Sequence, residues 1–211
     1  MKIALINENS QAPKNKLIFE TLKKVCEPLG HECFNYGRYG AEDLHERTYV
    51  QAGLLAAILL NSGVADFVIT GCGTGMGAML ACNAFPGVMC GRANDPTDAY
   101  LFMQVNAGNA LSIPFAYHFG WGAELNLEST FEKMFSCEIG NGYPEEWADA
   151  ERRNREILKQ VKQVSHSNII DVLKAVDQEL LKGSIAEENF AELFYPNCKD
   201  QELGDYIRSI L

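Results

Sequence analysis

Short apolar runs alternate with longer amphipathic segments along the first half of the chain. The apolar runs, which are typical of buried β-strands, cover residues 2–7, 31–36, 66–70, 87–90 and 110–114. The segments between them repeat apolar residues every three or four positions, which predicts helices over residues 14–27, 48–60, 74–82 and 96–105. Strands that alternate with helices at this spacing predict an α/β fold with a doubly wound parallel sheet.

Beyond residue 120 the pattern becomes helical. Helices are predicted over residues 122–135 and 147–164, and Ser165 is the expected N-cap of a further helix over residues 169–181. Lys182 and Gly183 are expected to end that helix, and two short helices are predicted at residues 187–194 and 201–211. The 169–181 segment carries an apolar stripe, which indicates that it packs against another part of the protein. The stripe consists of Ile169, Ile170, Leu173, Val176 and Leu180.

The predicted strand at residues 66–70 runs directly into a glycine-rich loop of sequence GCGTGMG. Its glycines stand at alternate positions: Gly71, Gly73, Gly75 and Gly77. Because glycine has no Cβ and tolerates positive φ, such a loop can bring several backbone N–H groups close to one oxygen or anion. The N-terminus of the following helix adds partial positive charge at the same place. The loop therefore predicts a binding site.

Cys72 lies within this loop. Convergent amide donors and a helix N-terminus favour the thiolate form of a cysteine, which makes Cys72 a candidate catalytic group. An arbitrary cysteine more often fills a turn as a small apolar residue. The four surrounding glycines favour the catalytic interpretation.

Composition limits the classes of partner. The chain has 211 residues, of which 47% are hydrophobic, and a formal net charge of -10. This charge is unfavourable for binding nucleic acids or anionic membranes, because both require a basic face. No apolar run is long enough for a transmembrane span, and the chain leads directly into a predicted strand, so we expect no signal peptide and a cytoplasmic location.

The seven cysteines include no CxxC pair, and no histidine stands at zinc-ligand spacing. An odd number of cysteines without an export signal indicates reduced thiols rather than a disulfide framework. No metal site is predicted.

Four segments together resemble one known family. They are the opening strand KIAL, the GCGTGMG loop with Asn83 and Pro86-Gly87 after it, residues 94–99 (NDPTDA) and residues 106–111 (NAGNAL). This combination resembles the family of type B ribose-5-phosphate isomerases and LacA/LacB galactose-6-phosphate isomerases, over about residues 1–158. The resemblance implies a Rossmann-like three-layer α/β/α sandwich with a five-stranded parallel sheet. It also implies a homodimer with shared active sites, and often a dimer of dimers.

Ordinary family members end near residue 160 of this chain, so the resemblance divides it into an isomerase domain at residues 1–160 and a helical C-terminal extension at residues 161–211. We expect the extension to pack on the core or to enlarge the dimer interface. A lid over the active site is the less favoured alternative.

The chemistry that the resemblance implies is aldose–ketose interconversion of a small sugar without a metal or organic cofactor. Such a reaction needs a base beside the carbonyl and donors that stabilise an enediolate. Cys72 matches the family's base and Thr74 a hydroxyl that contacts the sugar, while Gly73, Gly75 and Gly77 supply N–H groups. Some relatives use a glutamate as base, at the position of Ala78 here.

The resemblance implies a second set of residues that bind substrate. They are Glu8, Asn9, Asn94, Asp95, Asn106 and Arg153. Two of these have a structural alternative: Asn106 could cap the preceding helix, and Arg153 could lie on a solvated helix face with Arg152.

The chain departs from the family pattern where cations are expected. The usual Asp-His of the first loop is Glu8-Asn9, and the usual His-Asp after the fourth strand is Asn94-Asp95. A phosphate site normally uses several cationic groups, so these losses weaken the case for a phosphorylated sugar. Our hypothesis is a keto sugar acid such as the 4-deoxy-5-keto uronate from unsaturated glycosaminoglycan disaccharides. An open-chain sugar phosphate is the alternative.

Two other functional classes compete with this interpretation. Gly73, Gly75 and Ala78 partly match the dinucleotide-binding fingerprint, and Arg92 could suit the 2′-phosphate of NADP, which would make the protein an oxidoreductase. That fingerprint belongs after the first strand, whereas this loop follows the third. A non-catalytic sugar-binding regulator is disfavoured because Cys72 and Thr74 are both present.

Overall fold

The computed structural model describes residues 1–211 and contains a single five-stranded sheet. The strands are β1 (Lys2–Asn7), β2 (Glu32–Asn35), β3 (Phe67–Cys72), β4 (Cys90–Arg92) and β5 (Ala110–Pro114). All neighbouring pairs are parallel, in the order β2-β1-β3-β5-β4. The predicted doubly wound parallel sheet is confirmed.

Ten α-helices connect and surround the strands. They are α1 (Asn15–Cys26), α2 (Tyr49–Asn61), α3 (Met76–Asn83), α4 (Pro96–Leu101), α5 (Ala123–Phe135), α6 (Ala148–Ser165), α7 (Ile169–Ala175), α8 (Gln178–Ile185), α9 (Phe190–Phe194) and α10 (Gln201–Ile210). A 3-10 helix at Asn9–Lys14 precedes α1, and a π-helix at Phe102–Asn106 continues α4. No helix combines the length and the apolar composition that crossing a membrane requires.

Alternate residues of each strand enter two separate hydrophobic cores. On β1, Ile3 and Leu5 belong to one core and Ala4 and Ile6 to the other, because successive side chains of a strand face opposite sides of the sheet. The helices α1, α4 and α5 close the first core, while α2, α3 and the C-terminal helices close the second. Helices on both faces of a parallel sheet form the expected three-layer sandwich.

The C-terminal segment contributes to the core on the α2 side. Ile169, Leu173, Leu181, Phe194 and Ile207 are buried in the same cluster as residues of β1 and α2. The helices α7 to α10 therefore pack on the sandwich, and their apolar residues share its core.

Several predicted boundaries were wrong, and side-chain caps explain the largest error. The helix predicted at 169–181 is two helices, and Asn168, rather than Ser165, caps the first by accepting a hydrogen bond from Asp171 N at 2.9 Å. The Asp177 side chain accepts from Leu180 N at 2.9 Å and starts α8, which continues through Gly183. An Asp side chain that accepts from the backbone N–H three residues later is an N-cap, so a new helix begins after Asp177.

The strands around the glycine loop are also displaced from their predicted positions. β3 continues through Gly71 to Cys72, and β4 occupies Cys90–Arg92 rather than residues 87–90. The helix α3 begins at Met76 rather than at Thr74, because Gly75 has a φ of 73° and cannot be part of a right-handed helix.

Candidate active site

The carboxyl ends of β1, β3 and β5 meet at one edge of the sheet. Asn7 pairs with Gly71, and Cys72 pairs with Pro114. The loops after these strands therefore lie side by side. β1 is flanked by β2 and β3, so the chain order reverses between β1 and β3, and a switch point of this kind is where open α/β sheets bind ligands.

The glycine loop is held by backbone bonds to the segment after β5. Cys72 O accepts from Phe115 N at 3.0 Å, and Gly73 O accepts from Ala116 N at 3.0 Å. Cys72 is half-buried at the end of β3, and Thr74 is exposed at the start of the turn. The candidate base and the candidate hydroxyl thus occupy a fixed loop that is open to solvent.

The four glycines of the loop differ in how closely neighbouring atoms pack against them. A Cβ at Gly71 would lie 2.2 Å from Ile113 O, and a Cβ at Gly75 would lie 3.1 Å from Pro114 N, so close packing requires both. Gly77 lies against the ring of Tyr49, 3.3 Å from where a Cβ would be. At Gly73 the nearest atom would be 3.7 Å away, so packing does not require this glycine and one side of it is open to a group of about methyl size.

The Glu8 carboxylate is hydrogen-bonded within its own loop, which follows β1. Glu8 is 7% exposed, and its Oε2 accepts from Ser10 N at 2.9 Å while Oε1 accepts from Ser10 Oγ. Gln11 Nε2 donates to Ser10 Oγ at 2.8 Å, and that nitrogen is the atom nearest to the open side of Gly73. Gln11 extends this polar network to the glycine loop.

Lys14 is a cation at this edge that the sequence interpretation missed. Its Nζ donates to Gln11 Oε1 at 2.8 Å and to Phe115 O, and lies 4.6 Å from the centre of the Phe119 ring. Burial lowers the pKa of the Lys14 ammonium. Because the Lys14 ammonium already donates to two protein oxygens, it fixes the first loop against the segment after β5.

Asn9 also bonds to protein groups. Its Oδ1 accepts from Arg47 N at 2.5 Å and from Arg38 Nη1 at 3.2 Å. The sequence interpretation that the first loop has lost its cation is therefore incomplete, because Arg38 supplies one from the segment after β2. The pairing of β1 with β2 places these distant residues together, and no local pattern indicates it.

Asn94 and Asp95 follow β4 at the same edge of the sheet. Asp95 Oδ1 caps α4 by accepting from Thr97 N at 2.8 Å and Asp98 N at 2.9 Å. Asn94 donates through its N and its Nδ2 to Asp98 Oδ2. The strand β5 separates β4 from β3, so these residues lie about 10 Å across the sheet from Cys72.

Within one chain, neither Asn106 nor Arg153 makes a side-chain hydrogen bond to the thiol or to the glycine loop. Asn106 precedes β5, at the amino end of the sheet, whereas Cys72 pairs with the last residue of β5, about 13 Å along the strand. The π-helix is closed by the backbone N of Ala107, which donates to Phe102 O at 2.8 Å, and not by the Asn106 side chain. Arg153 is exposed on α6 without a hydrogen-bond partner, and Arg152 pairs with Asp149 at 2.6 Å.

A cavity of about 660 Å³ lies along the outer edge of β4. Arg92 and Asp98 line it from the sheet side, and Arg155 and Glu151 line it from α6. Arg92 also contacts the glycine loop, because its Nε donates to Thr74 O at 2.7 Å. Sequence reasoning considered this arginine only as part of a dinucleotide site.

Comparisons with known proteins agree over the whole chain. A sequence profile described as Ribose/Galactose Isomerase matches residues 3–143, and one described as Ribose-5-phosphate isomerase matches residues 164–210. A crystal structure of 4-deoxy-L-threo-5-hexosulose-uronate ketol-isomerase complexed with a tartrate is 60% identical, covers 100% of this chain and 99% of its own, and has a TM-score of 0.97.

A ribose-5-phosphate isomerase from Vibrio parahaemolyticus is 46% identical with the same coverage and a TM-score of 0.97. The type B ribose 5-phosphate isomerase of Trypanosoma brucei is 21% identical, covers 76% of this chain and 97% of its own, and has a TM-score of 0.63. That last likeness shows a shared fold.

Proposed function

The chain belongs to the ribose/galactose isomerase family, and from that premise we propose that it is a ketol-isomerase of a 4-deoxy-5-keto hexuronate. The observation that carries this proposal is the 60% identity, over the full length of both chains, to a ketol-isomerase of 4-deoxy-L-threo-5-hexosulose-uronate. The family relationship makes the protein an isomerase, which removes the reason for the oxidoreductase alternative.

The proposed reaction begins at Cys72. Its thiolate removes the hydrogen on C2 as a proton, the C2–H electron pair forms a C1=C2 double bond, and the carbonyl pair moves to O1. The resulting enediolate transfers the C2 hydroxyl proton to O1, and the thiol then returns its proton to C1. The product carries a ketone at C2, and the thiolate is restored.

The glycine loop supplies the groups that stabilise the enediolate. Backbone N–H groups fixed in position cost no reorganisation when charge develops on a substrate oxygen. We assign this role to Gly73, Gly75 and Gly77, and contact with a sugar hydroxyl to the exposed Thr74. The open space at Gly73 supports the assignment, since a substrate can approach the backbone there.

The charge of the site favours a carboxylate over a phosphate. Lys14 and Arg38 bind protein oxygens, so neither is free for a dianion. The 60% identical relative is complexed with a tartrate, and tartrate carries hydroxyls and carboxylates, the same groups as a sugar acid. Both observations support a keto sugar acid as substrate.

We propose that the active enzyme is a homodimer with shared sites. The helices α3 and α6 expose adjacent apolar side chains that no part of the chain covers: Met76, Leu80, Ile157, Leu158 and Val161. Lys162 of α6 donates to Asn83 O at the end of α3 at 2.6 Å, which keeps the two helices together.

We propose that a second copy docks on this surface and that its Asn106 and Arg153 approach the Cys72 thiol of the first copy. The proposed dimer thus accounts for the candidate residues that do not converge. The seven free cysteines support a reducing compartment such as the cytoplasm.

The test is a direct comparison of substrates. Purified protein is assayed with 4-deoxy-5-keto uronate, ribose 5-phosphate and galactose 6-phosphate. Turnover of the uronate with a much higher kcat/KM than either phosphosugar is expected. Turnover of a phosphosugar alone would overturn the proposed substrate.

A further inference from the structure

Arg92 is fixed to the catalytic loop through one edge of its guanidinium. It is the last residue of β4, and its Nε donates to Thr74 O at 2.7 Å. A Cβ at Gly75 would lie 3.2 Å from the same nitrogen. The glycine at that position therefore allows the loop to lie directly on the arginine.

The other edge of this guanidinium is free. No carboxylate lies within 4.0 Å of Arg92, and its two Nη groups donate no hydrogen bond within the chain. Two other cations near the carboxyl edge of the sheet, Lys14 and Arg38, already donate to protein oxygens. Lys14 binds Gln11 and Phe115 O, and Arg38 binds Asn9 and Asp43 O.

We propose that Arg92 binds the carboxylate of the substrate through its two Nη groups and selects sugar acids over neutral sugars. The assignment rests on the proposed ketol-isomerase function. A guanidinium held by Nε presents its remaining donors in the planar fork that matches a carboxylate. It provides one such fork, which suits a single carboxylate at the end of a sugar chain.

The distance from the thiol agrees with this role. Thr74 is two residues after Cys72, so their Cα atoms are at most about 7 Å apart. The reacting carbons and the carboxylate of an extended six-carbon chain are separated by about 6 Å. A substrate with C2 at Cys72 can therefore place its carboxylate beside the Thr74 carbonyl, where Arg92 is bound.

The electrostatic surroundings make this arginine necessary. The protein carries a net charge of -10, and Asp98 and Glu151 line the cavity beside Arg92. A substrate carboxylate would be repelled at this edge without a compensating cation. Arg155 also lines the cavity, but it is on α6 and its Nη2 donates to Gly140 O at 3.3 Å.

The experiment compares charged and neutral forms of one substrate. Wild type, Arg92→Gln and Arg92→Lys are assayed with the 4-deoxy-5-keto uronate and with its primary amide at C6, which has no charge. For Arg92→Gln we expect KM for the uronate to rise about 10- to 100-fold, the usual loss for a charge-assisted hydrogen bond. The lost bond from Nε to Thr74 O affects both substrates alike, so KM for the amide should rise much less than KM for the uronate, and Arg92→Lys should recover part of the affinity for the uronate. Arg208→Gln, an exposed change on α10, is the control.

Two results would overturn the assignment while leaving the proposed function intact. One is an unchanged KM of Arg92→Gln for the uronate. The other is an equal loss of kcat on the uronate and the amide, which would mean that Arg92 only holds the glycine loop. If the wild-type protein does not turn over the uronate at all, the proposed function itself fails, and the assignment fails with it before any substitution is made.

Discussion

Glu187 and Arg47 form an ion pair that is removed from solvent and joins the C-terminal segment to the active-site edge of the sheet. Glu187 Oε2 lies 3.7 Å from Arg47 Nη2, with side-chain exposures of 4% and 0%. Arg47 Nη1 donates to Tyr36 O, and the backbone N of Arg47 donates to Asn9 Oδ1 at 2.5 Å. A carboxylate before α9 is thus connected, through one arginine, to the first loop of the site.

Removal of this carboxylate should strongly destabilise the fold. Glu187→Ala leaves the Arg47 charge buried without a counter-ion, and we expect a loss of about 3–5 kcal/mol in the free energy of unfolding. Urea unfolding measures it. The exposed pair of Glu179 and Lys182 on α8 offers the control, since Glu179→Ala should cost at most about 1 kcal/mol. Equal effects of the two changes would contradict the prediction.

His45 should make the attachment of the C-terminal segment sensitive to acid. Its Nε2 lies 3.0 Å from Gly183 O of α8, and burial lowers the pKa of this imidazole. With a folded-state pKa below the unfolded value of about 6.5, the unfolded chain binds more protons, so stability present above pH 6.5 is lost as pH falls through the folded-state pKa. Wild type should lose more stability than His45→Gln between about pH 7 and 5.5.

Thermal unfolding of both proteins across that range provides the measurement. His31, whose pKa burial also lowers, is present in both proteins and cancels in the comparison. An identical pH dependence of the melting temperature would show that His45 stays neutral or is not coupled to folding.

Sequence patterns predicted the sheet and the glycine loop because both are local signals. Apolar runs mark the strands, and alternate glycines around Cys72 mark the loop wherever the rest of the chain lies. The roles of Arg38, Arg47 and Arg92 could not be predicted, since each depends on which strands become neighbours. Arg47 touches Asn9 only because β2 pairs with β1, and Arg92 touches Thr74 only because β4 and β3 both flank β5.

Gly75 and Gly73 should respond differently to the same substitution. Gly75 has a φ of +73°, and a Cβ there would meet Pro114 N at 3.1 Å, so Gly75→Ala should cost at least about 2 kcal/mol of stability. At Gly73 the nearest atom would be 3.7 Å from a Cβ, an ordinary contact, so Gly73→Ala should change stability by at most about 0.5 kcal/mol. The methyl group would nevertheless occupy the proposed substrate space, and kcat/KM should fall at least about 10-fold.

Urea unfolding and steady-state kinetics of the two variants test this contrast. A stable and fully active Gly73→Ala protein would show that the open side of the loop is not where substrate binds. A Gly75→Ala protein as stable as wild type would show that the turn can adopt another conformation.

Charge on the α3–α6 surface should dissociate the proposed dimer. Leu80 and Leu158 are 66% and 51% exposed in the single chain, and a glutamate at either position would place an unpaired charge in the interface, at a cost of several kcal/mol. Sedimentation equilibrium should show monomers for Leu80→Glu and Leu158→Glu, and turnover should be lost if the sites are shared as proposed. Leu125→Glu, on α5 in the opposite layer, should remain dimeric. A wild type that is monomeric and active would contradict the proposal.

Cys72 should be required for turnover but not for folding. It is half-buried at the carboxyl end of β3. Cys72→Ser replaces the thiol with a hydroxyl of nearly the same size that ionises far less readily, so we expect kcat to fall at least about 10²-fold with little change in the melting temperature. Cys137→Ser, at an exposed site after α5, is the matched control and should keep full activity. Exchange of the substrate C2 hydrogen with deuterium from solvent gives a second measurement, because a thiol that exchanges its proton during turnover labels the product. A Cys72→Ser protein with wild-type kcat and exchange would assign the proton transfer to another group.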